Sequence, residues 1–308
     1  MKKPYIFVAI SAILYGYITV GGRLLADLGF SLYEVSLFPM LTAALLLSLM
    51  RPLETRRLFG PGARQFFIVY GLIGALLQIT QYGGILLGVP VAVVAMLLYT
   101  QPIWTMLMGR LWLGEPITKV KLVALALAVA GVVALLDPTG ISGNYPPLGL
   151  LSALAGGIIL GLWVIWTRRS AVAGELPPLV KVYGYAFFTV LWLLALYPLV
   201  RLVIQDGTFT RLSVAPAFAH WPHLLLMAGL AYILPYSLIF KGIHQIEASS
   251  AGTLLMLEPV SAAIMAALIF REPLTPNVLL GGGLILLGNF VSVRYGGPAK
   301  GEALPAGS

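Results

Sequence analysis

The sequence predicts an all-α polytopic membrane protein: ten transmembrane helices forming two inverted five-helix repeats, with both termini cytoplasmic. Three observations predict it. Of 308 residues, 59% are apolar or aromatic and only 10% are charged, whereas a soluble domain carries about 25% charged residues. Runs long enough to cross a ~30 Å hydrocarbon core, about 20 apolar residues each, recur along the whole chain. One helix-stop motif also occurs twice, 157 residues apart.

The apolar runs are Tyr5–Gly22, Tyr33–Met50, Phe66–Leu87, Val91–Leu113, Val120–Leu136, Leu148–Thr167, Val180–Val200, Trp221–Phe240, Ser250–Phe270 and Asn277–Val293. Lys2 and Lys3 precede the first, but no small-residue cleavage site follows a short core, so it reads as a membrane helix and not as a signal peptide. The loops are short, and none is long enough for a soluble domain. The tail, 296–308, is rich in Gly, Pro and Ala and is expected to be disordered.

Ten spans place both termini on one side of the membrane. That side collects 15 of the 19 Lys and Arg residues, and the other collects Arg23, Arg201, Arg211 and Arg271. Basic loops stay cytoplasmic, so the termini are expected there. The formal charge of +8 is read as these loops, because the basic residues sit singly or in pairs between apolar runs and form no patch for nucleic acid.

The repeat is read from LLYTQPIWTMLMGRLWLGEPIT at 97–118 against LLMLEPVSAAIMAALIFREPLT at 254–275. At an offset of 157, Pro102 matches Pro259, Glu115-Pro116 matches Glu272-Pro273, and Gly131 matches Gly288. Upstream, at an offset of 145, Ala12 matches Gly157, Gly16 matches Gly161 and Arg23 matches Arg168. The units are 1–140 and 141–295. Five helices is an odd number, so the second unit enters the membrane from the opposite side, the arrangement that supports alternating access in secondary transporters.

The two copies of a mid-helix Pro followed 13 residues later by Glu-Pro-x-Thr, with KGIHQIEASSAGTLLMLEP at 241–259, resemble the EamA family of the drug/metabolite transporter superfamily. The likeness spans nearly the whole chain. The Pro after each Glu is a minor departure from the family pattern. The aromatic-rich third, fourth and sixth helices are most similar to a bacterial exporter of aromatic amino acids within that superfamily. The resemblance implies a ten-helix basket that exports small metabolites across the bacterial inner membrane.

Pro102 and Pro259 each remove a backbone hydrogen bond and free a carbonyl, that of Leu98 or Leu255. Such breaks must face protein or a wet cavity, which makes the pair candidate hinges; the alternative is a static kink. Glu258 lies at mid-membrane depth, where an acid costs about 2.5–3.5 kcal/mol on insertion scales, and its repeat partner is Gln101. Glu258 can receive a substrate ammonium or a proton; the alternative is a carboxylate satisfied by Ser261 or Thr253. Gln78 and Tyr82 share a helix face with Gln81 nearby. Tyr99 and Trp163 lie deeper than the interfacial belt that suits Trp112, Trp166, Trp192 and Trp221. The expected substrate-binding set is therefore Gln78, Tyr82, Tyr99, Gln101, Trp163 and Glu258, an aromatic wall with polar tips, and Trp104 is a weaker candidate.

Glu115 and Glu272 are expected to favour the N-terminus of the helix that follows each, and Arg23 and Arg168 to snorkel. Small-residue pairs such as Ala124/Ala128 permit close helix packing. A monomer is expected, with a dimer through the fifth and tenth helices left open. The absence of Cys excludes disulfides and thiolate metal sites. Three His without a carboxylate cluster suggest no metal, and no phosphate loop suggests ATP, so no cofactor is expected. The expected partners are the bilayer and a small-molecule substrate, an amino acid or related metabolite. A drug exporter of the same fold is the alternative. A lipid-modifying membrane enzyme is disfavoured because the acids stand isolated, and a scaffold or scramblase lacks a charged lipid-facing groove.

Overall fold

The computed structural model describes residues 3–50, 56–60, 62–136, 145–170, 176–205, 207–271 and 273–295. The tail 296–308, Glu272 and the expected junction at 140–141 lie outside the described residues. Regular structure among the described residues is helical. In chain order it comprises α1 (Lys3–Asp27), α2 (Leu32–Met50), α3 (Ala63–Leu86), α4 (Val91–Leu98 continued by Gln101–Leu113), α5 (Lys119–Leu136), α6 (Pro147–Arg168) and α7 (Pro178–Val203). Then follow α8 (Trp221–Met227, a π-segment Ala228–Ile233, and Leu234–Gly242), α9 (Ala248–Leu255 continued by Leu257–Phe270) and α10 (Pro276–Tyr295).

Among the described residues, nine helices are long and apolar enough to cross a membrane. The remaining expected span is α4, whose two pieces have 8 and 13 residues, each shorter than a span. The break has a local cause. Pro102 has no N–H, so the chain turns at Tyr99 and Thr100, where Thr100 N donates to Leu97 O (3.3 Å) and Ile103 N to Thr100 O (3.0 Å), both tighter than α-helical bonding. α9 breaks at Met256, the residue 157 positions on from Tyr99, and Met256 N donates to Thr253 O (3.1 Å). The freed Leu98 carbonyl packs on Gly157 of α6, where a Cβ would come within 3.1 Å of it.

The packing repeats with the same offsets. α1 lies against α9, and a Cβ on Gly16 would fall 2.6 Å from Ala262 N. α6 lies against α4, and a Cβ on Gly161 would fall 3.2 Å from Thr105 N. Gly16 and Gly161 are partners at an offset of 145, and Thr105 and Ala262 at 157. Between α5 and α10, a Cβ on Gly131 would meet Gly281 O at 2.6 Å, and one on Gly288 would meet Ala124 O at 2.7 Å. Positions rise along α5 as they fall along α10, so these corresponding helices run antiparallel. The small-residue faces of α5 and α10 thus pack on each other within one chain, which answers what these faces contact.

A clasp closes the end of the bundle where α1 meets α2. Glu34 is fully buried, and its carboxylate accepts from Ser31 N (2.7 Å) and Ser213 N (2.6 Å). It thereby ties the segment after α7 to the start of α2, with Arg211 3.4 Å away.

Candidate substrate cavity

The two helix breaks meet at a central cavity of about 60 Å³. α1 contributes Tyr15 and Ile18, α3 contributes Leu77, Gln78 and Gln81, and α4 contributes Leu98, Tyr99 and Gln101. The opposite wall is Leu160 and Trp163 of α6, Tyr236 of α8, and Leu255 and Glu258 of α9. Much of this lining pairs through the repeat: Tyr15 with Leu160, Ile18 with Trp163, Leu98 with Leu255, and Gln101 with Glu258.

The aromatic wall is fixed by edge-to-face packing. Tyr15 and Trp163 lie 6.3 Å apart at 78°, Tyr15 and Tyr236 5.2 Å apart at 80°, and Trp163 and Tyr236 5.6 Å apart at 79°, the geometry that aromatic quadrupoles favour. Behind them, Tyr185 stacks on Tyr236 at 4.9 Å, and Tyr70 lies 6.3 Å from Trp163. Tyr70 bonds Thr167, whose hydroxyl donates to Trp163 O (2.6 Å). The wall is therefore rigid, and the Tyr15 hydroxyl and the Trp163 indole N–H are buried within it, beside Ser11 and Tyr185 as their respective side-chain neighbours.

Glu258 and Gln101 occupy equivalent places with different surroundings. Gln101 is buried; its Nε2 donates to Thr105 Oγ1 (2.5 Å), and Gly252 of α9 packs against it. Glu258 faces the cavity, and its carboxyl has the Tyr99 hydroxyl as its side-chain partner. The alternative of satisfaction by Ser261 or Thr253 does not hold. Ser261 Oγ donates to the Glu258 backbone carbonyl (2.8 Å), and Thr253 Oγ1 donates to Ser249 O (3.0 Å).

The structure thus brings Gln78, Tyr99, Gln101, Trp163 and Glu258 to one cavity. Tyr82 lies next door, in a pocket of about 20 Å³ between α2, α3 and α7 that also includes Tyr33, Ser36 and Gln78. Trp104 is outside the cavity lining; its Nε1 donates to Thr100 Oγ1 (3.1 Å). Tyr15 and Tyr236 were not singled out by sequence. Tyr15 was within reach, because the offset of 145 carries Leu160 and Trp163 back to Tyr15 and Ile18; nothing local marks Tyr236.

Some expected surface roles change. Trp166 stacks on Phe66 (5.7 Å, 18°) and Trp192 Nε1 donates to Ile68 O (2.9 Å), so both join helices within the bundle, whereas Trp112 and Trp221 are exposed as the belt reading requires. Arg168 does not snorkel but pairs with Glu115. The Arg23 guanidinium lies 4.2 Å over the Phe270 ring. Glu115 serves α9 instead of the following helix: Oε1 accepts from Ala248 N (2.7 Å) and Oε2 from Ser249 N (3.2 Å). Beside it, Lys121 Nζ lies 3.1 Å from Glu247. Burial pushes the Glu247 carboxyl up from the usual carboxylate range, and Lys121 opposes that shift.

Apolar helices around a cavity with polar tips define a multi-pass membrane transporter. Comparison with known proteins gives the family: residues 2–136 and again 147–294 match the EamA-like transporter family, and the chain belongs to it. An uncharacterised transporter of Clostridium kluyveri is 22% identical over 95% of this chain and 93% of its own length. A probable amino-acid metabolite efflux pump of Escherichia coli is 25% identical over 67% of this chain and 68% of its own. A crystal structure with 16% identity, covering 95% of this chain and 98% of that one, superposes with a TM-score of 0.72 and shares the fold.

Proposed function

We propose that this chain exports neutral amino acids, aromatic ones foremost, across the bacterial inner membrane by alternating access. In this reading the two pieces of α4 stack into the tenth span, the units 1–140 and 141–295 are inverted repeats, and the termini are cytoplasmic. The antiparallel run of α5 and α10 and the offset-related glycine contacts support the inversion. Two separate family matches along the chain support two units.

The observation that carries the substrate class is the gathering of one carboxylate, Glu258, with Tyr15 and Trp163 in the lining of an aromatic cavity. Glu258 receives the substrate ammonium. The Tyr15 hydroxyl and Trp163 N–H donate to the substrate carboxylate, bonds of about 1.5–3 kcal/mol each when one partner is charged. Tyr99 and Tyr236 flank the side chain, and Gln78 stands between the cavity and the adjoining pocket, with Tyr82 beyond it. Gln101 shapes the wall. The cavity of about 60 Å³ in this state widens as the helices part. The breaks before Pro102 and Pro259 are the hinges for that movement. Movement follows the solute's own gradient, since Glu258, the one acid in the cavity lining among the described residues, is taken by the substrate ammonium. Export is the direction suggested by the efflux-pump names of relatives.

The aliphatic share of the lining, Ile18, Leu77, Leu98, Leu160 and Leu255, favours a second reading, efflux of an apolar drug. Uptake of labelled Phe, Trp, Thr, Met and a sugar into proteoliposomes, with and without a pH gradient, separates the two. Saturable Phe and Trp movement without a gradient is expected. Movement of none of the amino acids overturns the assignment. Loss of transport on collapsing the gradient makes Glu258 a proton carrier instead of an ammonium site.

A further inference from the structure

The strongest cluster outside the cavity is the charged group at the N-terminus of α9, and its repeat counterpart is a different kind of place. Ala248 and Ser249 are 0% and 3% exposed, whereas Val91, the partner of Ala248 at an offset of 157, is 63% exposed. The C-terminal piece of α4 packs on the N-terminal piece of α9. There, a Cβ on Gly252 would meet Gln101 Nε2 at 2.9 Å and Thr105 Cβ at 3.2 Å. The reciprocal pieces, the N-terminal part of α4 and the C-terminal part of α9, have no comparable packing. Two ends related by the repeat thus differ: one is packed shut, and the other lacks that helix contact.

Glu115 holds the shut end. Its carboxylate bridges Arg168 at the end of α6 to two backbone N–H groups and the Ser249 hydroxyl (3.1 Å) at the start of α9. Unpaired N–H groups at a helix start favour a negative charge, and Arg168 completes the charge balance. We infer that Glu115 is a latch: while it caps α9, this end of the cavity stays closed, and its release lets the end open as the Val91 end closes. The latch rests on the transporter reading for its purpose. Its test reads shape alone, so its failure leaves the substrate assignment to the proteoliposome experiment.

The chain contains no Cys, so single reporter cysteines can be read without background. Ser250 is 1% exposed and sits just inside the latch, and Val91 reports the opposite end. In detergent, where both faces are reachable, a hydrophilic maleimide should label Val91→Cys quickly and Ser250→Cys slowly. Adding Glu115→Gln should raise the Ser250→Cys rate on the order of tenfold, within the 5–150-fold range of two-state couplings, and lower the Val91→Cys rate. Unchanged rates overturn the latch. A rise at both sites also overturns it, because that is general loosening and Glu115 is then a structural cap. Should Glu115→Gln fail to fold, Ser249→Ala removes one contact and keeps the charge pair. It should give a severalfold rise at Ser250→Cys, and no rise overturns the proposal.

Discussion

The breaks in α4 and α9 stand at equivalent positions, over two residues in α4 and one in α9, and carry opposite chemistry. Each turns three residues before a proline, at Tyr99 or at Met256, and each packs by its following piece on a glycine, Gly161 or Gly16. At the break in α4 the polar group, Gln101, is fastened by its own helix through Thr105. At the break in α9 the polar group, Glu258, has Ala262 at the position equivalent to Thr105 and turns to the cavity with Tyr99. Matching positions therefore supply similar helix contacts twice, and the cavity-facing chemistry appears where the two stretches differ. Tyr15 against Leu160 and Trp163 against Ile18 are further differences of this kind around the same space.

The largest test of the shared scaffold is to fill both glycine contacts. Gly16→Leu and Gly161→Leu each force a side chain into backbone of the facing helix. Each should destabilise by ~3 kcal/mol, the upper part of the usual overpacking range, seen as a lower melting temperature and poor recovery from detergent. A tolerant Gly161 beside an intolerant Gly16 would break the equivalence of the halves.

The second test exchanges the chemistry. Glu258→Gln should lower the rate of Phe transport by about 10- to 100-fold, the loss of one charge-assisted contact. Adding Gln101→Glu should not restore it, because Thr105 and Gly252 hold position 101. Restoration would show that the two polar sites are interchangeable.

A third test concerns the wall. Truncating Trp163 to Ala would remove a large buried ring at about 3–5 kcal/mol and confuse folding with binding. Trp163→Phe and Tyr15→Phe keep a ring in the cavity wall and remove one donor each. Each should weaken binding of a substrate that carries a free carboxylate about tenfold and leave its amide analogue nearly unaffected, as competition for labelled Phe would show; a donor to a charged carboxylate is worth about 1.5 kcal/mol at the lower end of its range.

What was legible in the sequence is what repeats along the chain. Span positions, the two prolines, the matched stops and the placement of Gln101 and Glu258 follow from composition and spacing. The partner of each group was not legible. These helices are apolar around most of their circumference, so periodicity does not show which face meets the cavity, and Tyr236 carries no mark. Glu115 reaches α9 across 133 residues of sequence, a contact that no local capping rule anticipates. Arg168 reads as an interfacial cation until the helix bearing Ala248 is placed beside it. Each piece of α4 is shorter than a span because of the interruption before Pro102, the feature that makes it a hinge candidate.

The smallest expected effect is at the ends of the same two helices. α4 stops at Gly114 (φ 68°), and its partner 157 positions on, Arg271, stops α9 at φ 56°. A left-handed residue accepts Gly freely but crowds a Cβ against the following carbonyl, so the two copies hold one turn at different strain. Arg271→Gly should stabilise the protein by ~0.5–1 kcal/mol, because relief of the ~1–2 kcal/mol strain is partly offset by the greater freedom of Gly in the unfolded chain. Gly114→Ala should destabilise by about 1 kcal/mol. Opposite shifts in melting temperature are expected. Shifts of the same sign would mean that the side chain of Arg271 outweighs its backbone, and that this turn is held differently in the two repeats.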